Sequence, residues 1–346
     1  MIRPNLLVLL LPFLFSCSGR RLDADVSKIQ VKEVKIDRLE QDVFNAPLAD
    51  IGGLRKRLQA KYGNFYLGFQ SVINSGGRQS SGGGVSEQEL RFSDSVSLRL
   101  FVSDSAMKEA YKDCQKVYPD LGQVQSDLTE VFRHFRFYFP ARPLPRVVSY
   151  MSGFNYSFLP VDSTIGIALE LFLGRENKFY QLIQFPKFKT LTMSKEYLAS
   201  EFSRGWMSTV FPRTDEKKDF LSEIIYDGKI LYLVDALLPA TNDTIKMGYS
   251  QKQLKWCREN EYNMWAYFVQ KKIFYLSDPV EMVKYTGDGP FTSAFNKESP
   301  SRVGIWIGWQ IIRSYMDHHP KETLEDLMNE KDAQAILSQS KYKPSR

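Results

Sequence analysis

The chain predicts an α+β fold: a small sheet followed by a mainly helical second half. Three observations predict it. Alternating apolar segments, separated by turn residues, cluster between Arg146 and Leu173. Helix-period segments precede that cluster. From Ser194 onward the chain is a succession of capped helical segments with no strand pattern.

The N-terminus is a targeting segment, not part of the fold. Arg3 gives a short basic start, and Leu6 to Phe15 form an apolar run broken by Pro12. That run is too short to span a bilayer and reads as a signal h-region. Leu14-Phe15-Ser16-Cys17 then reads as a bacterial lipobox, although Phe15 is bulkier than the usual occupant. The Cys17 thiol would take a diacylglyceryl group, and cleavage after the small Ser16 would make it the first residue. An ordinary secretory signal cleaved near Ser18 is the competing reading. Residues 1–16 are thus expected as signal peptide, 17–28 as a polar tether and 29–346 as one domain.

Hydrophobic residues make up 43% and aromatics 14% of the chain, which supports a sizeable core. The 46 basic and 40 acidic residues are interspersed, giving a net charge of +6 without a basic block. Nucleic acid is therefore not an expected partner. Arg20, Arg21 and Lys28 follow the anchor and suit anionic lipid. Beyond Cys17, only Cys114 and Cys257 remain, either as one disulfide or as two buried thiols. The three histidines are His134, His318 and His319, so 135–317 contains none. Most zinc sites and most Ser/His or Cys/His pairs are thereby removed. No metal and no cofactor is expected.

The elements follow in order. Ile29, Val31, Val34 and Ile36 alternate and predict a strand. Leu54, Leu58 and Tyr62 give a short helix over 48–62. Residues 75–84 form a flexible Gly/Ser insertion without the GK[ST] ending of a phosphate-binding loop, and Ser86 with Glu89 suggests a capping box after it. Helices are predicted over 103–118 and 122–135, the second with Leu128, Val131, Phe132 and Phe135 on one face. His134 lies off that face, in a basic-aromatic stretch running to Arg142, and reads as a solvated histidine near a helix end.

Arg146 to Met151 predicts a strand; Tyr156–Leu159 and Thr164–Leu173 predict a hairpin turning at Asp162-Ser163. Later helices are expected from Ser194 to Val210, from Thr214 to Leu238, from the Ser250/Gln253 capping box through Trp256 and Trp265 to Phe268, from Ser299 with Pro300 at its first position to His318, and from Thr323 to Ser338.

Three constellations bear on chemistry. Gly304 and Gly308 share a face of an otherwise apolar helix and invite another backbone to approach, with core packing preferred over a ligand cleft. Glu223 and Asp227 project together at i, i+4, with Asp235 further along; a solvated face is the ordinary reading, and acid/base or cation chemistry the alternative. His318 and His319 point about 100° apart and sit in a last helical turn, where they suit the helix dipole rather than one metal ion.

Several segments carry a resemblance. Arg146-Val-Val-Ser-Tyr-Met-Ser-Gly-Phe-Asn-Tyr156, Gly166-Ile-Ala-Leu-Glu-Leu-Phe-Leu-Gly174, Tyr226-Asp-Gly-Lys-Ile-Leu-Tyr232 and Ser299-Pro-Ser-Arg-Val-Gly-Ile-Trp-Ile-Gly-Trp-Gln-Ile311 resemble the gliding-motility lipoprotein B (GldB) family of Bacteroidetes. That family is similar in layout to zinc peptidases of the zincin type. The resemblance implies an edge strand at Gly166 to Leu173, a helix at Tyr197 to Val210 where peptidases carry HExxH, and a following helix with a third ligand. No histidine stands in 197–210, so two-histidine zinc binding with a glutamate base is not available. Asp227 stands where relatives tend to carry Glu.

The resulting expectation is a lipid-anchored, zincin-like cell-envelope protein, facing the periplasm, that binds motility or secretion proteins without catalysis. Phe154, Tyr156 and Trp206 are the partner-binding candidates. The alternative is a degenerate peptidase-like hydrolase using Glu201, Glu223 and Asp227. Residues 18–21 carry no acidic run of the sort that surface-export signals in these bacteria resemble.

Overall fold

A four-stranded mixed sheet organises the N-terminal half. Its strands are β1 (Ile36–Arg38), β2 (Arg146–Tyr150), β3 (Phe158–Val161) and β4 (Thr164–Ala168), in spatial order β1-β2-β4-β3. β1 and β4 pair with β2 in parallel, and β3 pairs with β4 antiparallel across the Asp162-Ser163 turn. Asp162 adopts φ 49°, the left-handed geometry that a tight hairpin requires. The computed structural model describes residues 22–75, 87–214 and 217–345. Cys17 with its lipobox, residues 76–84 of the Gly/Ser insertion and the Ser86 cap lie outside the described residues.

Helices α1 (Leu39–Phe44), α2 (Ile51–Tyr62), α3 (Asn64–Ser75), α4 (Glu87–Ser103), α5 (Ser105–Val117) and α6 (Gly122–Tyr138) surround the sheet. Leu54, Leu58 and Tyr62 are buried as their spacing predicts, as are Leu128, Val131, Phe132 and Phe135. β2 is the central parallel strand, and its residues Val147 to Tyr150 are all buried. Gly166 in β4 makes room for a ring: a Cβ there would lie 2.5 Å from Phe65.

The second half holds the short helices α7 (Lys178–Leu182) and α8 (Lys187–Thr190), then α9 (Lys195–Val210), α10 (Phe220–Leu237) and α11 (Asp243–Met247). It continues with α12 (Gln251–Glu259), α13 (Glu261–Gln270), α14 (Pro279–Thr286), α15 (Val303–His318), α16 (Leu324–Asn329) and α17 (Ala333–Ser340). The architecture is α+β and mainly helical, and α10 and α15 form its centre.

These two helices cross at glycines. A Cβ on Gly308 would sit 1.9 Å from the Ile224 carbonyl oxygen, and one on Gly228 would sit 2.4 Å from the Gly308 oxygen. Only hydrogen fits between the backbones, so the packing reading of Gly308 holds. Gly304 faces the Phe220 ring on the same helix pair.

Several boundaries differ from expectation, each for a local reason. Of the expected Ile29–Ile36 strand only Ile36 pairs with β2, and the pairing runs on to Arg38; the Val34 backbone instead bonds Thr129 and Gln125 side chains of α6 at 3.0 and 2.9 Å. β4 stops at Ala168, and Leu169–Leu171 turns as a 3-10 helix. There the buried Glu170 carboxylate accepts from the Ser152 and Phe154 backbones. α10 begins at Phe220, not after Thr214, because Asp219 caps it through Ser222 N at 2.8 Å. α15 begins at Val303, not Pro300: the Pro300 carbonyl accepts from Thr292, and Arg302 turns the chain at φ 59°. The Ser250/Gln253 capping box forms, but that helix breaks at Asn260 into α12 and α13. The closing helix starts after Thr323 as expected and breaks into α16 and α17. Cys114 and Cys257 are two buried free thiols.

Candidate functional site

The sheet's edge strand and the central helices enclose a cleft of about 500 Å³. Phe158 of β3 forms one wall. β4, expected at the sheet edge, is internal, since β3 covers it. Glu201, Arg204, Gly205 and Ser208 of α9 form a second wall. Their i, i+3, i+4, i+7 spacing places them on one helix face. The opposite face of α9 is apolar. Its Trp206 ring packs 4.3 Å from Phe135 and 5.0 Å from Phe132 of α6. α9 is thus held by its aromatic face and presents its charged face to the cleft.

Asp227 of α10 projects into the same space, one residue before the Gly228 crossing. Its position is set by the close backbone approach of α10 to α15 at Gly228. The rest of the Tyr226-Asp-Gly-Lys segment is anchored too. Tyr226 Oη donates to the Phe211 carbonyl at 3.0 Å, and Lys229 Nζ donates to the Glu330 carbonyl. Asp288, after α14, and Arg302, before α15, close the far side. Arg302 donates to the Met247 carbonyl at 2.8 Å and lies 3.3 Å from the Asp288 carboxylate.

The charges are largely matched in pairs. Arg204 and Glu201 form an ion pair at 2.5 Å, and the Glu201 field raises the Arg204 pKa further. Asp227 has no such close partner. Burial, then repulsion from Glu223, pushes its pKa up to about 6, against the pull of Arg204, Arg213 and Arg302. Asp227 therefore holds a proton over part of the mildly acidic range and can donate a hydrogen bond there.

The structure brings Glu201 and Asp227 into one cleft and leaves Glu223 outside its lining. Glu223 lies one turn earlier on α10, 3.8 Å from Arg213. Asp235 belongs to a different, buried cluster. It accepts from Lys246, Arg313 and the Trp309 indole, each at 2.9 Å, and Arg313 also bonds Asp243. Trp206 and Phe154 are only 3% and 7% exposed, so neither is available for docking. Phe154 turns the chain at φ 64° against Phe179. Tyr156 is 41% exposed and remains on the surface. His318 and His319 each contact a carbonyl of the preceding turn at 2.8 Å, in keeping with a helix-end role. His134 is half-buried rather than solvated, and burial lowers its pKa.

Sequence reasoning missed Arg204, Asp288 and Arg302. Arg204 had a signal, three residues after Glu201 on a helix whose other face is aromatic. Arg302 stood inside the Ser299–Ile311 segment, but nothing local tied it to Asp288.

A zinc ion of the kind implied by the zincin resemblance does not fit. The cleft lining contains no histidine, its Glu201 is paired, and two guanidinium groups share the space. Among the described residues, no group of three or more His, Cys, Asp or Glu could hold a metal, and no helix is long and apolar enough to cross a membrane.

Comparison with curated proteins and with solved structures found no match for this chain. A family model does match, over residues 19–344, and it takes in β1 to β4, both crossing helices and every residue of the cleft. The chain belongs to the gliding motility protein GldB family.

Proposed function

We propose that this chain is a lipid-anchored component of the bacterial cell envelope whose cleft docks a protein partner of the gliding or associated secretion machinery, without catalysis. The layout is read as zincin-like: an antiparallel edge strand, β3, beside two helices that in peptidases would carry the metal. One observation carries the docking reading. The would-be catalytic helix α9 spends its glutamate on Arg204, in a cleft whose rim runs into exposed apolar surface. That surface is α14, which exposes Val280 and Val283 at 74% and 60% and ends at the cleft residues Thr286 to Asp288. Charged pairs inside and bare valines outside suit a protein segment better than a small substrate.

The test is complementation of a deletion strain, read as colony spreading. Val283→Asp is expected to abolish spreading while the protein stays folded and envelope-bound. Glu201→Gln is expected to leave spreading intact. Loss of spreading with Glu201→Gln and Asp227→Asn but not with Val283→Asp would overturn the docking reading. So would stoichiometric zinc in the purified protein.

A further inference from the structure

Leu22 and the cleft lie at different ends of α15, and the end near Leu22 carries its own surface. Its place at the membrane rests on the reading of Cys17 as lipidated. The chain is attached to the body from Leu22 onward. Leu22 packs against the core, its carbonyl accepts from Tyr138 Oη at 3.3 Å, and Val26 is buried. Leu22 is five residue steps from Cys17, which at full extension span about 17 Å. A lipid inserted at Cys17 therefore holds the Leu22 side of the body close to the headgroups.

That side is the C-terminal end of α6, the basic-aromatic stretch that the cleft does not use. Phe137 is 43% exposed there, edge-on to the Tyr138 ring at 5.0 Å, and Pro140 and Ala141 are exposed beside it. Arg136 donates to the Pro140 and Arg142 carbonyls at 2.8 and 3.2 Å and so fixes this loop. An exposed aromatic ring next to arginine is the combination that settles at a bilayer interface: the ring at the acyl boundary, the guanidinium toward phosphate. Leu22 and Asp23 also border a pocket with Arg313 and Asp317, near the C-terminal end of α15. The cleft is bordered by Arg302 and Ile305 at its N-terminal end. Fifteen residues of helix rise about 22 Å.

We infer that the α6 C-terminal surface, with Phe137 at its tip, is a second membrane contact, and that it orients the body so that the cleft and α14 face away from the lipid. A single tethered chain would otherwise leave the body free to tumble; one interfacial contact removes that freedom.

The experiment uses the full lipidated chain in vesicles of phosphatidylethanolamine and phosphatidylglycerol. Pro140→Cys, Ala141→Cys and Val283→Cys variants are labelled with an environment-sensitive dye, since Cys114 and Cys257 are buried. Lipid carrying a shallow nitroxide quencher then reports proximity. Labels at 140 and 141 are expected to be quenched several-fold more than the label at 283. Equal quenching at all three sites, or stronger quenching at 283, overturns the orientation while leaving the anchor intact. Failure of the chain to float with vesicles removes the anchor reading, and this inference with it.

Discussion

Gly308→Ala tests whether the α10–α15 crossing holds the molecule together. The added Cβ would meet the Ile224 carbonyl oxygen at 1.9 Å, whereas a close C–H···O contact needs about 3.3 Å. The clash is with backbone, so no rotamer change relieves it and the helices must separate by more than an ångström. A gap of that order forfeits up to about half of each dispersion contact along the seam. Overpacking of this kind costs about 3 kcal/mol, the upper end of its usual range. Alanine returns about 1 kcal/mol through better helix propensity. The expected net loss is about 2 kcal/mol, or a Tm lower by about 3 °C for a domain of this size. The assay is thermal and urea unfolding followed by far-ultraviolet circular dichroism. Gly205→Ala in α9 is the control. Its Cβ would lie 3.5 Å from the Phe158 ring, an ordinary contact, so stability should hold or rise slightly. A Gly308→Ala protein as stable as wild type would refute the reasoning. The crossing would then be loose enough that it could not position Asp227.

Three further outcomes are expected. Asp227 has its pKa raised from 3.8 to about 6 in the folded protein, so its contribution is lost as pH rises through that window. At about 1.4 kcal/mol per unit the loss is bounded near 3 kcal/mol, and partial solvent access lowers it. Asp227→Asn should therefore gain on wild type between pH 4 and pH 7 in urea unfolding; parallel curves would show that Asp227 titrates normally. Asp235→Ala strands the buried Lys246 ammonium and the Trp309 indole and should cost about 3–5 kcal/mol, while Arg258→Ala, at the exposed fringe of the cluster, should cost under about 1 kcal/mol. Equal losses for the two would count against a buried network. Cys114 and Cys257 have thiol pKa values pushed up by burial and should resist an aromatic disulfide reagent until urea unfolds the chain; rapid labelling of either in native buffer would contradict the packing.

Much of the helical half is legible in sequence because its signals are local. The Ser250/Gln253 box forms as spaced, and α9 ends at Val210 as expected. The hairpin at Asp162 is legible for the same reason. Boundaries fail where a distant partner intervenes. Pro300 does not open α15 because Thr292 takes its carbonyl. The strand before Ile36 does not extend because Thr129 and Gln125 of α6 take the Val34 backbone. Trp206 and Phe154 look like docking aromatics in one dimension, but the α6 rings and Phe179 bury them.

By itself the sequence determines the fold class, the glycine-lined central helix, the histidine-free middle that deprives α9 of zinc ligands, and the family. Each rests on residue type or spacing along one element, which short-range sterics and hydrogen bonding translate directly into structure. Only the tertiary structure decides that Glu201 is held by Arg204 in a cleft closed by Asp288 and Arg302, that Asp227 lines that cleft half-buried while Glu223 stands outside its lining, and that Leu22 is fastened to the body near Phe137. Those facts depend on which elements meet. The Gly228–Gly308 crossing brings them together through contacts 80 residues apart in the chain, a separation at which spacing carries no information.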